Sequence, residues 1–535
     1  MQRPKSRADR SQSLQSSGEV PYWGGSEGRQ EGGDVTDRTN EAQRAAVSEG
    51  AKQAGEIWQR WNWVERTVWT ERMWTALEEG VRGGKWFSLM DKVWRQRTLW
   101  AAFQQVAAND GAAGVDHQTV EDFERNLSQN LQRLSEQLQQ GTYQPQPVRR
   151  VWIPKPGSTE KRPLGVPAVR DRVVQAALRL VLEPIFERDF AQQSYGFRPQ
   201  RGCLDALRRV DQLLKQGYTW MVDADLKSYF DTIPHEPLME RVEEKVSDGQ
   251  ILGLVEVFLN QQVMDGMKCW TPEGGTPQGA VLSPLLSNLY LDPLDHQRAG
   301  EGIEMVRYAD DFVLLCRSRE EAERALGRVR EWTAQAGLTL HPIKTRIVDE
   351  TQEGFDFLGY HFQRGRRWPR EKSRNKFRDT MRSKTRRTYG ESLKVIVADV
   401  NRTLRGWFGY FKHSNQTTFR EVDGWTRGRL RSLLRKRQKR KGRGRGSDHQ
   451  RWPNRFFAEQ GLFSLVTAHR LVCQSLQRLN HRLESRMRQI RLYGSEGGGA
   501  VCSPYPYLSS PLQGRRSHES CKQQTEIRTG WIPAG

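Results

Sequence analysis

Three aspartates sit where their spacing could assemble a reactive cluster. Tyr308-Ala309-Asp310-Asp311 sets two carboxylates side by side between Ile303, Met305 and Val306 on one flank and Phe312-Val313-Leu314-Leu315-Cys316 on the other. This pattern predicts strand, tight turn, strand. Adjacent acids at the tip of an apolar hairpin resist joint ionisation unless a cation neutralises them. Well upstream, Trp220-Met221-Val222-Asp223-Ala224-Asp225 alternates as a half-buried strand does and ends on a further carboxylate. If that strand lies beside the hairpin, Asp225, Asp310 and Asp311 form a hard-oxygen cluster suited to Mg²⁺. Two such ions about 3.5–4 Å apart would activate an attacking 3′-hydroxyl and stabilise the leaving oxygen of an in-line phosphoryl transfer. A pair of aspartates also suits an ordinary turn, so the pair alone leaves both readings open.

The elements that must carry these acids can be read from composition and texture. The chain has 535 residues, a length that suggests three or four structural units. Only 36% of residues are apolar, yet 18 Trp, 19 Phe and 13 Tyr supply large core side chains. No stretch approaches the roughly 20 uncharged apolar residues of a membrane span, and the N-terminus lacks the apolar core of a signal peptide. Six well-separated cysteines, with no CxxC pair, argue against a zinc ribbon or a disulfide scaffold and fit a reducing intracellular setting. Eight tryptophans between Trp58 and Trp100 read as core packing, with stacking on bases as the other use of such rings.

The charge is strongly segregated. Between Arg364 and Gly446 there are 28 basic and six acidic residues, a net +22 in 83 residues, whereas the remaining 452 carry 57 basic and 58 acidic ones. Within this segment Leu393, Ile396, Val397, Val400, Leu404, Trp407, Phe408 and Phe411 mark one face of a helix. The excess charge therefore decorates a folded helical domain, as expected of a surface that binds a nucleic-acid backbone. The tract Arg435, Lys436, Arg437, Lys439, Arg440, Lys441 is its densest part.

In the order of these motifs the sequence resembles the reverse transcriptase family, and within it the bacterial group II intron-encoded reverse transcriptase/maturases of the endonuclease-lacking type. Matching segments run from about Asn109 to His469. Asn109 to Asp116 resembles the family's element ahead of the fingers. Ile153-Pro154-Lys155-Pro156-Gly157 and Lys161-Arg162-Pro163-Leu164-Gly165 resemble the fingers hairpin, where Lys155 and Arg162 would hold the incoming triphosphate. Ser194-Tyr195-Gly196-Phe197-Arg198-Pro199 matches a characteristic hexapeptide, with Arg198 as a template or nucleotide contact. In Asp225-Leu226-Lys227-Ser228-Tyr229-Phe230 the resemblance makes Asp225 a metal ligand and Phe230 the gate that excludes a ribose 2′-hydroxyl. Gly275-Thr276-Pro277-Gln278-Gly279 offers Gln278 to brace nucleotide and template, and Gly279 for close approach of the template. Ala309 lies in the nucleotide site by the same likeness. Lys344, in His341-Pro342-Ile343-Lys344-Thr345, is either a proton donor to pyrophosphate or a solvent-facing lysine. Leu404-Arg405-Gly406-Trp407-Phe408-Gly409-Tyr410-Phe411, Trp452-Pro453-Asn454 and Gly461 to Leu465 resemble the maturase domain, making Arg405 an RNA contact alongside the basic tract.

The resemblance implies an α+β, right-hand polymerase architecture: fingers and palm with antiparallel β-sheet, followed by an α-helical thumb/maturase domain. The expected organisation is a disordered extension (1–57), a Trp-rich helical element leading into the fingers (58–125), fingers and palm (126–365), a basic helical RNA-binding domain (366–485) and a loose tail (486–535). The implied activity is RNA-directed DNA synthesis with two Mg²⁺ ions and dNTPs. The implied biology is splicing of a group II intron RNA and its copying into target DNA by target-primed reverse transcription. Localisation would be cytoplasmic, nucleoid-associated during insertion, with no membrane partner. The distal cysteines are single, which suggests that the zinc-stabilised endonuclease of many relatives is missing. The alternatives are a splicing cofactor that needs no polymerase, and a domesticated reverse transcriptase in defence or repair. The sequence leaves oligomeric state open.

Overall fold

A computed structural model of the chain describes residues 61–81, 83–154, 161–440, 446–475 and 478. The expected N-terminal extension and C-terminal tail lie outside these residues, as do Trp58, Lys155, Lys441, Cys502 and Cys521. The chain divides into two compact units between Lys376 and Phe377. Among the described residues no helix is long and apolar enough to cross a membrane.

The first unit is α+β. Its strands begin with β1 (Val148–Pro154), β2 (Lys161–Val166), β3 (Trp220–Asp225), β4 (Val263–Asp265) and β5 (Lys268–Trp270). They continue with β6 (Glu304–Tyr308), β7 (Asp311–Cys316), β8 (Arg346–Asp349), β9 (Phe355–Phe357), β10 (Tyr360–Gln363) and β11 (Arg366–Pro369). One sheet has the order β2-β1-β4-β5, a second β6-β7-β3-β8, and a third β11-β10-β9. The predicted hairpin is the antiparallel pair β6 and β7, and β3 is the antiparallel neighbour of β7. The β-rich body ends a few residues beyond 365 because Tyr360–Gln363 and Arg366–Pro369 pair as a hairpin, so strand structure runs into the basic segment.

Helices cover these sheets. In chain order the ones that position the site are α1 (Gln96–Asn109), α2 (Val169–Glu187), α3 (Ser283–Gly300) and α4 (Arg319–Gln335). Helix α2 is buried over most of its surface, from Val169 and Val173 through Leu178 and Val181 to Phe186, with Arg179, Glu183 and Glu187 as a half-buried charged stripe. A helix with so wide an apolar surface belongs in a core. The Trp block packs against it: Trp61, Trp69 and Trp86 are buried, and the Trp69 indole N–H donates to the Leu180 carbonyl at 3.0 Å. Trp63, Trp74 and Trp94 pack at the rim of the same core, while Trp100 is exposed. The Gln175 side-chain oxygen, on α2, accepts from the Val281 N–H at 2.8 Å and so fixes the entry to α3.

The second unit is helical. It contains most of α5 (Glu371–Lys384), then α6 (Leu393–Phe411), α7 (Gln416–Arg437) and α8 (Asn454–Glu459). The apolar stripe read from the sequence is the buried face of α6: Ile396, Val397, Val400, Leu404, Phe408 and Phe411. All but Phe411 of these meet Phe419, Leu430 and Leu433 of α7 and Phe457 of α8 in one core. Asn401 and Asp423 tie down the Gly461–Val466 loop. Asn401 exchanges side-chain bonds with the Gly461 carbonyl and the Phe463 N–H, and Asp423 accepts from the Ser464 hydroxyl and the Leu465 N–H.

One fully buried acid gives the first unit a pH signature. Asp171 on α2 accepts from the Tyr143 hydroxyl at 2.7 Å and the Gln146 N–H at 2.9 Å. Burial outweighs these bonds and pushes its carboxyl up to about 6. Between its unfolded value near 4 and about 6 the native state binds more protons than the unfolded chain, so stability is lost as pH rises through that window. Asp171→Asn keeps an acceptor for Gln146 and offers an N–H to the Tyr143 oxygen. The variant should gain on the wild type by about 2–3 kcal/mol between pH 4 and pH 7 in urea unfolding. A difference that does not change with pH would refute the shift.

Candidate active site

The β3–β7 register sets Asp225 directly opposite Asp311. Directly opposed antiparallel residues share a face with side chains about 5 Å apart. Asp223, two residues before Asp225, lies on that same face, an alternation visible in the sequence but not used there to name it a site residue. Asp310 occupies the turn between β6 and β7. The acids feel one another. Burial, then Asp225, raises Asp310, while Lys344 and Arg307 oppose the shift. Burial, then repulsion from Asp223, Asp310 and Asp225, pushes Asp311 up to about 7. Burial likewise takes Asp223 to about 6 against the pull of Arg346.

Among the described residues no three His, Cys, Asp or Glu side chains are drawn together as a formed metal site. The Lys344 ammonium instead sits 2.7 Å from Asp225 Oδ2. The loop that carries it is pinned beside the acid strand: the His341 N–H donates to the Asp225 carbonyl at 2.7 Å, and the Lys227 N–H to the Thr339 carbonyl at 2.8 Å. The donor set fits a hard divalent cation, since its atoms are carboxylate oxygens, and burial and mutual repulsion raise Asp310 and Asp311.

Phe230 follows Tyr229, whose buried hydroxyl donates to the Ser287 carbonyl at 2.7 Å. That anchor leaves the half-buried Phe230 ring packed edge-on against Phe197, centroids 6.3 Å apart. The Phe230 carbonyl accepts from the Thr276 N–H at 2.6 Å, which laces the gate segment to the Gly275–Gly279 loop. A Cβ at Gly275, where φ is +87°, would lie 2.6 Å from that carbonyl oxygen. The same loop meets the edge of β2. Gln278 accepts from the Gly165 N–H at 2.6 Å, and a Cβ at Gly279 (φ +108°) would lie 2.4 Å from the Gly165 oxygen. The glycine expected to admit a template is therefore required by the protein's own backbone. Arg162 is exposed on β2, and Gln278 is half-buried.

Two arginines near the site are buried. Arg198, expected to touch template or nucleotide, has a side chain only 2% exposed, held by two bonds from Nε to the Glu187 carboxylate and by bonds to the Ala191 and Ser194 carbonyls. With its donors spent internally, it is a brace for the Ser194–Pro199 turn. Arg307, which the sequence reading passed over, is fully buried behind the acids. Its Nε lies 2.9 and 3.0 Å from the Asp295 oxygens, and Nη1 donates to Asn288 Oδ1 at 2.9 Å and to the Ala309 carbonyl at 3.0 Å. Asn288 in turn donates to the Gly196 carbonyl at 2.8 Å. Ala309, with φ +60°, is only 5% exposed, and a Cβ at Gly196 would lie 2.2 Å from its nitrogen. Ala309 thus packs closely against Gly196.

Residues 153–362 match the family model described as reverse transcriptase (RNA-dependent DNA polymerase), and residues 374–452 match the group II intron, maturase-specific domain. Protein YkfC of Escherichia coli (strain K12) is 35% identical over 311 residues, covering 49% of this chain and 81% of that protein. The chain belongs to the group II intron reverse transcriptase/maturase family. Group II intron-encoded protein LtrA of Lactococcus lactis subsp. cremoris is 38% identical over 203 residues, covering 38% of this chain and only 33% of LtrA. A chain of a solved structure titled "Partial Cas6-RT-Cas1--Cas2 complex" aligns at 27% identity over 46% of this chain and 41% of that one. Its TM-score of 0.31 is too low to carry an argument.

Residues 153–362 of the first unit are accordingly the matched reverse transcriptase region of a right-hand polymerase, and the helical second unit carries most of the maturase-specific match. Enzymes with this reverse transcriptase domain generally use divalent metal ions. In the maturase unit the basic residues divide into two groups. Arg431 is buried, holding the Trp452 carbonyl and Asn454 Oδ1, and Arg435, expected to contact RNA, pairs with buried Asp448 at 2.7 Å. Arg405 and the stretch Lys436, Arg437, Lys439 and Arg440 are exposed, though Arg437 also donates to the Tyr389 and Glu391 carbonyls.

The palm of this reverse transcriptase should be sensitive to the pair behind its acids. Arg307→Met leaves Asp295 buried without its cation and should cost about 3–5 kcal/mol in urea unfolding. Adding Asp295→Leu should recover much of that loss. Primer extension should stay impaired in the double variant, because the Ala309 carbonyl still lacks its donor; full recovery of both would mean that Arg307 only balances charge.

Proposed function

We propose that the chain is an RNA-directed DNA polymerase that also binds a group II intron RNA, assists its splicing, and copies it into DNA at a target site. The observation that carries this reading is the β3–β7 register, which opposes Asp225 to Asp311 beside the turn bearing Asp310. Asp225, Asp310 and Asp311 would hold two Mg²⁺ ions, which when bound supply activation of the primer hydroxyl and stabilisation of developing phosphate charge. The remaining tasks fall to this chain's own residues. Phe230, fixed in place through Tyr229 and Phe197, excludes a 2′-hydroxyl and so selects dNTPs. Arg162, with Lys155, neutralises the triphosphate while it is oriented. Gln278 braces the nucleotide against the fingers strand to which its carbonyl is bonded. Lys344 lies close enough to the acids to move a proton toward departing pyrophosphate.

The exposed cations Arg405, Lys436, Arg437, Lys439 and Arg440 support the RNA-binding half of the proposal. They lie on a unit matched by the maturase-specific domain, and their charge has no counterpart elsewhere in the sequence.

Two measurements test the two halves separately. Asp310→Ala should lower primer extension on an RNA template by about 10²–10³-fold or more, the scale of one lost preorganised electrostatic contact, while intron splicing with the purified protein persists. Undiminished extension would remove the catalytic assignment. Replacing Lys436, Lys439 and Arg440 together by Gln should flatten the log–log salt dependence of intron RNA affinity by about 0.7–0.9 per lost phosphate contact. A slope equal to that of the wild type would show that these cations face solvent only.

A further inference from the structure

One face of the β2-β1-β4-β5 sheet carries aromatic rings that none of the motifs above explains. The β1–β2 register pairs Arg150 with Gly165, Trp152 with Pro163 and Pro154 with Lys161. On the other side β1 runs parallel to β4, with Val148 opposite Val263, and β4 turns back so that Val263 meets Trp270 and Asp265 meets Lys268. Because side chains alternate, Arg150, Trp152, Lys161, Asp265, Lys268 and Trp270 all stand on one face. The Arg150 guanidinium lies 4.7 Å from the Trp270 ring centre and 5.8 Å from that of Trp152. The Trp152 indole N–H is fixed to Asp265 Oδ2 at 2.9 Å, yet the residue remains 45% exposed.

A large indole held in one orientation by hydrogen bond and cation, while almost half of it stays in water, is poorly explained as core. It is well suited to stacking a flat, electron-poor ring. The surrounding charge points to the same class of partner: three cations share the face with one acid, and that acid is occupied by Trp152. Position narrows the choice further. The β2 edge is bonded to the Gln278 loop, and Arg150 is close enough to Asp231, the residue after the gate Phe230, to draw down its carboxyl against the effect of burial. The face therefore starts beside the nucleotide-selecting loop and runs outward along the hairpin. The strand that is still unpaired at a growing primer end is the template.

We propose that Trp152, Arg150 and Trp270 form a stacking platform for the unpaired 5′ segment of the template strand. The proposal rests on the polymerase reading, and it predicts a binding difference that can be measured without synthesis. Full-length protein is titrated by fluorescence anisotropy, in EDTA and without dNTPs, onto a primer–template that is blunt and onto one whose RNA template extends by six unpaired nucleotides. Trp152→Ala and Trp270→Ala should each weaken binding of the extended duplex by roughly 5- to 100-fold, the effect of losing one stacked base, and leave the blunt duplex unchanged. Trp152→Phe should retain most of the affinity, which separates stacking from damage to the hairpin. Equal losses on both duplexes, no loss on either, or loss with Trp152→Phe as great as with Trp152→Ala would overturn the platform. An enzyme that extends primers normally but shows any of those patterns refutes only this inference. A wild-type chain that binds the overhang preferentially but never extends a primer refutes the polymerase reading instead.

Discussion

The geometry of the acidic turn depends on a buried ion pair. Removing Arg307 and Asp295 from water costs several kcal/mol each, and their attraction offsets this only if geometry is good and the remaining donors are used. Here three of the guanidinium's bonds go to the Asp295 carboxylate, while Nη1 reaches Asn288 and the Ala309 carbonyl. Those last two bonds matter most. They connect the turn to α3 and, through Asn288, to the Gly196 carbonyl. The hexapeptide segment, the start of α3 and the acidic hairpin, far apart in sequence, thereby share a single hydrogen-bonded centre. Gly196 completes it by letting backbone lie against Ala309 where any side chain would collide.

A turn held that rigidly cannot relax to separate its charges. Asp223, Asp225, Asp310 and Asp311 remain close, and burial together with repulsion from these neighbours raises Asp310 and Asp311. The Lys344 ammonium meets part of this demand at Asp225, but its side chain is 60% exposed. An exposed lysine–carboxylate pair contributes little in water. The acids are thus left weakly compensated, and a small divalent cation would neutralise them far more completely than one flexible ammonium. The buried arginine supplies rigidity, and the exposed lysine leaves the carboxylates available. Exchanging the two would give a stable but chemically closed site.

Features set by local periodicity were legible in the sequence. The alternation of Trp220–Asp225, the apolar runs flanking Asp310-Asp311 and the stripe from Leu393 to Phe411 each encode their element within a few residues, and each element is present. Sheet order was not legible, because β3 must skip past four helices and three strands before it meets β7. The roles of single arginines were not legible either. Arg198 and Arg307 lie beside motif residues and carry the same side chain as a nucleotide contact would, but whether a guanidinium faces a cleft or a buried carboxylate depends on Glu187 and Asp295, partners fixed only by folding. Asp223 could have been found: it is two residues from Asp225 on an alternating strand, which already places it on the same face.

The same ambiguity governs the basic segment. Its net +22 overstates the surface that can meet RNA, because part of the charge is structural. Arg431 and Arg435 turn inward to hold Trp452, Asn454 and Asp448, and they knit α7 to the segment beyond it. In the following turn of α7 Lys436 and Arg437 are exposed, and the chain continues outward through Lys439 and Arg440. A helix of 3.6 residues per turn cannot direct every member of such a run to one side. A run of cations that begins on the buried side of a helix must therefore divide its labour. Its inner members fix the fold of the maturase unit, and its outer members present charge from a rigid base, where a phosphate contact loses less side-chain and backbone entropy than it would on a flexible tail.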